Sequence, residues 1–423
     1  GLITPSLDEM VTIAEMMQQR GMTQPLLIGG ATTSKVHTAV KIEEKYSGVT
    51  VHVLDASKSV PVATALLSDK KEKFVTELRQ EYVDVREKNA RKRGKKSFSS
   101  LDLIRANGAD MQWPSYQPVT PSFIGNKVFR DYPLDKIREN FDWTPFFITW
   151  ELHGKYPGIL TDEVVGEEAS SLYKDALVML DKIVDEKLLS CNGVIGFYPA
   201  AGIEGDSTEL YSDESRSDVT ATLHHLRQQT QRPSDRAYRS LADFVAPKNS
   251  SVNDYMGGFV VTCHGAEDLA KQYEEKLDDY SAILVKALAD RFAEAFAEVM
   301  HQEVRKLHWG YAGDESLDNS ELISEKYQGI RPAPGYPACP EHSEKATLFS
   351  LLDAKEKIGC ELTDSFAMYP ASSVSGWYFA HPESRYFALG KINKDQVEDY
   401  AARKDWDMTK AQRWLRPALG YDE

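Results

Sequence analysis

At 423 residues, with 42% hydrophobic side chains and a formal charge of −15, the chain is too long for one ordinary core and has a soluble globular composition, so two or more units are expected. The acidic balance argues against a nucleic-acid surface, since phosphate binding depends on clustered Lys and Arg. No apolar run approaches the ~20 residues needed to span a bilayer, and Gly1-Leu2-Ile3-Thr4-Pro5 lacks the basic start of a secretion signal, so a cytoplasmic, membrane-free location is predicted. Cys191, Cys263, Cys339 and Cys360 lie far apart with no C-x-x-C pair, which supports neither a metal site nor a disulfide framework.

In chain order, a helix is predicted from Ser6 to Arg20, then a buried strand Pro25-Leu26-Leu27-Ile28. Gly29-Gly30-Ala31-Thr32-Thr33-Ser34 follows and opens a second helix, and a strand runs from Val49 to Leu54. Strand, glycine turn and helix form half of a doubly wound, Rossmann-like sheet, which binds ligands at the carboxyl ends of its strands. With no strands before Gly1, the chain is expected to start inside a domain. Ser68 to Lys96 reads as a charged connector helix with sparse apolar positions Phe74, Leu78, Tyr82 and Val85. Its basic end, Arg86 to Lys96, reads as a solvated linker, with a docking patch as the alternative. The expected boundaries are therefore 1–68, 69–96 and 97–423.

Beyond Ser97, helices are predicted near Leu134 to Asn140 and Glu163 to Glu186, with strands at Val194 to Tyr198, Thr208 to Tyr211 and Tyr255 to Cys263. From Asp278 to His308, the apolar residues Leu284, Leu288, Phe292, Phe296, Met300 and Val304 recur at helical spacing without a proline. Val374 to Ala380 and Arg385 to Ile392 flank His381-Pro382-Glu383-Ser384 and predict a β-hairpin. Helices Asp395 to Lys404 and Thr409 to Trp414 end the chain. Strands scattered among helices predict an α+β domain with a central antiparallel sheet.

The segment from Arg331 to His342, RPAPGYPACPEH, holds four prolines and a glycine, which forbid helix and strand and leave an extended ribbon with more free carbonyls than N–H groups. Arg331 at its head is suited to clamping a carboxylate through two parallel hydrogen bonds, although a surface arginine before a turn is the plain alternative. Tyr336 reads equally as a packed ring or a ligand platform. Cys339 and His342 lack further ligands nearby and read as structural. Asp142, ahead of Trp143-Thr144-Pro145, either caps a helix or meets a cationic ligand. Glu294, among alanines, reads as a solvated helix face. Of the adjacent Tyr386 and Phe387, at least one ring should be buried. His224-His225 has no partner in a recognisable spacing, and no P-loop, GxGxxG or Ser-His-Asp order is present.

The segments GLITPSLDEM, LLIGGATTSK, DWTPFF, ADFVAPK, KALADRFAEAFAE, RPAPGYPACPEH, TDSFAMYP, SVSGWYF and LGYDE together resemble the carboxyl-terminal part of the cobalamin-dependent methionine synthase family, over essentially the whole chain. The resemblance implies the end of a cobalamin-binding domain followed by a C-shaped activation domain that binds S-adenosylmethionine. It places Asp142, Glu294, Arg331, Ala333, Tyr386 and Phe387 at the S-adenosylmethionine site. It places Thr4, Gly29, Gly30 and Ala56 along the nucleotide tail of cobalamin, and Tyr336 facing the corrin. It also implies reductive reactivation, in which a flavodoxin-like partner donates one electron and S-adenosylmethionine then methylates the cobalt. The family's Asp-x-His-x-x-Gly cobalt-ligand segment is absent from this sequence, as are the homocysteine domain with its zinc and the folate domain. Methylation of homocysteine by this polypeptide alone is therefore not expected, and a docking and binding module is the alternative to an enzyme.

Overall fold

The computed structural model describes residues 6–30, 32–54, 58–93, 97–233 and 235–421. Its first part opens with the helix Ser6–Gln19, then β1 (Leu26–Ile28) and β2 (Thr50–His52), which pair in parallel with Leu26 opposite Thr50 and Ile28 opposite His52. Between them, Ser34 accepts a hydrogen bond from His37 N and starts a short helix that widens into a π turn at Thr38–Ile42. Ala14, Ile28, Ile42 and Tyr46 form a small core. β1 is less covered than the sequence predicts, because Leu27 is 40% exposed and only the Ile28 side of the strand meets a helix.

The helix Lys71–Arg93 lies across this part. Tyr82 is fully buried and its hydroxyl accepts from His52 N at 2.9 Å. Arg86 donates to Ala39 O at 2.8 Å and pairs with Glu43 at 2.7 Å, so the first residue of the basic cluster is tied down and is not a free linker charge. Among the described residues, no helix is long and apolar enough to cross a membrane.

The larger part is built on an antiparallel sheet in which β3 (Gly125–Phe129), β4 (Ser190–Ile203), β5 (Ser207–Tyr211), β6 (Val219–His224), β7 (Asp254–His264) and β10 (Ser373–Tyr378) run in the order β10-β7-β4-β5-β6, with β3 also on β4. A separate short ladder joins β8 (Glu361–Leu362) to β9 (Met368–Tyr369). β4 and β7 are buried on both faces, and their side chains alternate between two cores. Ile195, Phe197, Phe259 and Val261 meet Phe292 and Phe296 of the helix Asp279–Glu303. Val194, Tyr198, Met256 and Val260 meet Leu348, Phe349 and Leu352 of the helix Glu344–Leu352. All six apolar positions of the predicted stripe from Leu284 to Val304 are buried, Asp278 caps the helix by accepting from Ser281 N at 3.0 Å, and a π turn, Val304–His308, ends it.

The predicted hairpin does not form. β10 pairs with β7, from Ser373 opposite Thr262 to Tyr378 opposite Gly257. The proline ribbon takes the other edge of β10: Trp377 N donates to Pro332 O at 2.9 Å, and Ile330 and Phe379 exchange two hydrogen bonds of 3.0 Å. With that edge filled, Arg385 to Ile392 makes no ladder with β10. It runs against the ribbon instead, where Leu389 N donates to Pro337 O at 2.8 Å.

Gly376 lies where ribbon and sheet pack tightly, since a Cβ there would sit 2.8 Å from Pro332 O and 2.9 Å from the Phe259 ring. Gly376→Ala should cost about 1–3 kcal/mol in urea unfolding; an unchanged midpoint would mean that the ribbon does not press on the sheet.

Candidate functional site

The site forms where the ribbon crosses the long helix. Along Asp279–Glu303 and its π turn, Glu294, Glu298, His301 and Arg305 follow at spacings of four, three and four, which puts them on one face. The ribbon brings Arg331 onto that face. Its Nη2 lies 3.0 Å from Glu298 Oε2, and its backbone N–H donates to the Tyr386 hydroxyl at 3.0 Å. Burial opposes the Arg331 charge, but Glu298 outweighs it and holds the guanidinium protonated more firmly than in water. His301, fully buried, stacks on Tyr378 with ring centroids 5.3 Å apart. Burial first, then Arg305 and Arg331, keep its imidazole neutral far below its ordinary titration range.

The ribbon is folded more tightly than its prolines alone imply. Tyr336 N donates to Ala333 O at 3.1 Å and Cys339 N to Tyr336 O at 3.0 Å, so two successive turns, tied by Gly335 N donating to Cys339 O at 2.8 Å, present the Tyr336 ring, 62% exposed, at the surface. The carbonyls of Pro332, Ala333, Tyr336, Pro337 and Cys339 all accept backbone N–H groups, which corrects the expectation of many free acceptors. Gly335 has φ +98°, and a Cβ there would lie 2.4 Å from the His342 ring. Cys339 Sγ donates to Ala333 O at 2.9 Å, and His342 Nδ1 lies 3.2 Å from Lys345 Nζ, so both side chains brace the ribbon. Among the described residues, no group of three or more His, Cys, Asp or Glu could hold a metal ion.

The other predicted positions differ in what they touch. Asp142 accepts from Thr144 N at 2.9 Å, as a cap does, and its neighbour Phe141 packs edge-on against Phe292 of the long helix at 4.9 Å. Glu294 is half-buried, not on an open face, and its charge acts on both Arg331 and Tyr336. The Tyr386 hydroxyl also lies 3.3 Å from that of Tyr327, whereas the Phe387 ring turns inward toward Phe244 at 6.2 Å. Gly29 and Gly30 end β1; a Cβ at Gly29 would approach Val53 O to 3.2 Å, and Gly30 has φ +114°. Thr4 and Ala56 lie outside the described residues.

Glu298, Arg305 and Tyr327 belong to the cluster and are missed by a reading that takes the long helix for its apolar stripe alone. The signal is the second, polar stripe Glu294, Glu298, His301 and Arg305 running beside it. His224 and His225 are accounted for by hydrogen bonds to Ser207 Oγ at 3.0 Å and Thr208 Oγ1 at 3.2 Å. The neighbouring Arg227 is buried between Asp206 and Asp243 and offers no basic face to a partner.

Residues 133–405 match the family model of the vitamin B12-dependent methionine synthase activation domain. The chain belongs to that family. The crystal structure of the MetH reactivation domain bound to AdoHcy is similar to it at 53% identity and a TM-score of 0.74, over 77% of this chain and 99% of that one. The shared fold is the mixed helix and antiparallel-sheet arrangement described above, and the family sets the chain in a methyltransferase context.

Nearly inaccessible histidines make stability depend on pH. Burial, reinforced by nearby cations, depresses His225 to about 3, His342 to about 4 and His301 well below 6.5. The unfolded chain takes up these protons below about 6.5 and the folded one does not, so stability is lost as the pH falls from there toward the folded values. Each ring contributes up to about 1.4 kcal/mol per pH unit. The urea midpoint should drop clearly between pH 7.5 and 5.5; equal midpoints would show that the rings accept protons within the fold.

Proposed function

We propose that this activation domain binds S-adenosylmethionine and positions its methyl group for transfer to reduced cobalamin during reductive reactivation of the enzyme, with one electron supplied by a flavodoxin-like donor. Residues 97–423 would form the activation domain, residues 69–96 the linker, and residues 1–68 the end of the cobalamin-binding domain. The likeness to a reactivation domain bound to AdoHcy carries the reading, because AdoHcy is the thioether left when the sulfonium gives up its methyl.

The residues fit this task. A sulfonium amino acid offers a carboxylate, an ammonium and an adenosine, and the Arg331 fork suits the first through parallel N–H donors. Asp142 and Glu294 are the carboxylates assigned to the amino or ribose end, and the part-exposed Tyr386 ring to the adenosine. Ala333 would contribute its backbone N–H, since its carbonyl already accepts from Tyr336 N and Cys339 Sγ, and Phe387 its main chain, since its ring faces the core. No acid–base pair is required: as the S–CH3 bond breaks, its electron pair stays on sulfur, and the protein supplies position and charge.

Cobalamin, when bound, supplies the nucleophilic metal. Gly29 and Gly30 leave the carboxyl end of β1 bare of side chains, which fits close approach of a bulky nucleotide tail, and the exposed Tyr336 ring suits a flat macrocycle. Thr4 and Ala56 would complete that set.

Calorimetric titration of the chain with S-adenosylmethionine tests the reading. Arg331→Ala should weaken binding by about 10- to 100-fold, and undiminished affinity would remove the clamp. Asp142→Asn with unchanged affinity would remove that acid from the site. The alternative reading is a binding and docking module for S-adenosylmethionine and the electron donor, without turnover of its own. Assay of methyl transfer to free, chemically reduced cobalamin distinguishes the two: product formed by this chain alone would exclude the module.

A further inference from the structure

Arg331 is held from behind by a closed circuit of side chains, buried at Glu298, Arg305 and Tyr327 and part-exposed at Tyr386. Its Nη2 pairs with Glu298 Oε2 at 3.0 Å. Behind Glu298 lies the fully buried Arg305, 3.6 Å from Glu298 Oε1 and clasped by Glu315 through two hydrogen bonds of 2.8 Å. The Arg305 guanidinium covers the Tyr327 ring at 4.4 Å, the Tyr327 hydroxyl lies 3.3 Å from that of Tyr386, and the Tyr386 hydroxyl accepts the backbone N–H of Arg331. The path leaves Arg331 by its side chain and returns by its main chain.

This circuit engages only part of the fork. Arg331 Nε is buried without a protein partner, and among the described residues Nη1 has no ion pair or hydrogen bond. Glu298 and Glu315, with Glu294 also acting on Arg331, at least balance the two guanidiniums, so Arg331 is not an uncompensated charge awaiting an anion. What it offers is aimed N–H groups. An arginine stem has several rotatable bonds, and immobilising them before the ligand arrives removes a cost that binding would otherwise bear.

We propose that Glu298 is the positioning residue of the Arg331 clamp: it takes Nη2 from behind and turns the remaining N–H groups toward the carboxylate of the bound sulfonium amino acid. Arg305, itself clasped by Glu315, holds Glu298 in place. The proposal rests on the reading of Arg331 as that clamp. It assigns Glu298 no contact with the ligand.

The test is calorimetric titration of the whole chain with S-adenosylmethionine and with its decarboxylated analogue, which keeps the sulfonium and adenosine but lacks the carboxylate. Glu298→Gln should weaken S-adenosylmethionine binding about tenfold, leave the analogue within about twofold, and add nothing to the loss in Arg331→Ala. Equal or tighter S-adenosylmethionine binding would overturn the proposal by showing that Glu298 competes with the ligand for the fork. An equal loss for both ligands would also overturn it, by showing a role in general packing. Where circular dichroism finds Glu298→Gln unfolded, Glu298→Asp, which keeps the charge but shortens its reach, should show the same ligand-selective loss. If wild-type chain fails to bind S-adenosylmethionine, the functional reading fails first; if it binds and only Arg331→Ala matters, the Glu298 assignment alone is lost.

Discussion

The ribbon's attachment to the open edge of β10 is the constraint on which the rest of the site depends. A proline-rich strip has few N–H groups and cannot run as a full strand, but it can accept hydrogen bonds, and Pro332 O does so from Trp377 N while Ile330 and Phe379 exchange a pair. These bonds cover an edge that would otherwise be exposed. They also set the depth at which Arg331 meets the long helix. Gly376, with no side chain, permits the approach.

Beneath this attachment the electrostatics follow from burial. Glu298, Arg305, Glu315 and Arg331 come together where isolated charges would be costly, and they are held as a balanced set with tyrosine hydroxyls closing the circuit. His301, between the two guanidiniums, stays neutral for the same reason, since a third positive charge there would have neither solvent nor a carboxylate of its own. The cluster lies on the polar stripe of a helix whose apolar stripe packs into one of the two cores, so a single element both supports the sheet and holds Arg331.

Local signals in the sequence were largely reliable. The helix from Asp278 onward, the strands β4, β5 and β7 and the last two helices follow from periodicity and capping, and the strip from Arg331 to His342 from its prolines. Strand β3 escaped because GNKVF does not alternate and gains stability from the β4 neighbour it pairs with, whereas β6, VTATLH, does alternate apolar and polar residues and was a legible signal left unread. The hairpin expected after Val374 failed for a related reason. Its two halves have the right composition, but a more distant segment occupied the edge.

The sequence by itself determined that residues 331–342 form neither helix nor strand, that the helix after Asp278 is buried along one stripe, and that the larger part is α+β, because these properties are fixed within a few residues by φ restriction and side-chain period. Only the tertiary structure decided what Arg331 touches. Glu298 is 33 positions away and Tyr386 55, and their meeting depends on which segment wins the edge of β10. No local pattern encodes that competition, because its outcome is the summed free energy of every alternative pairing.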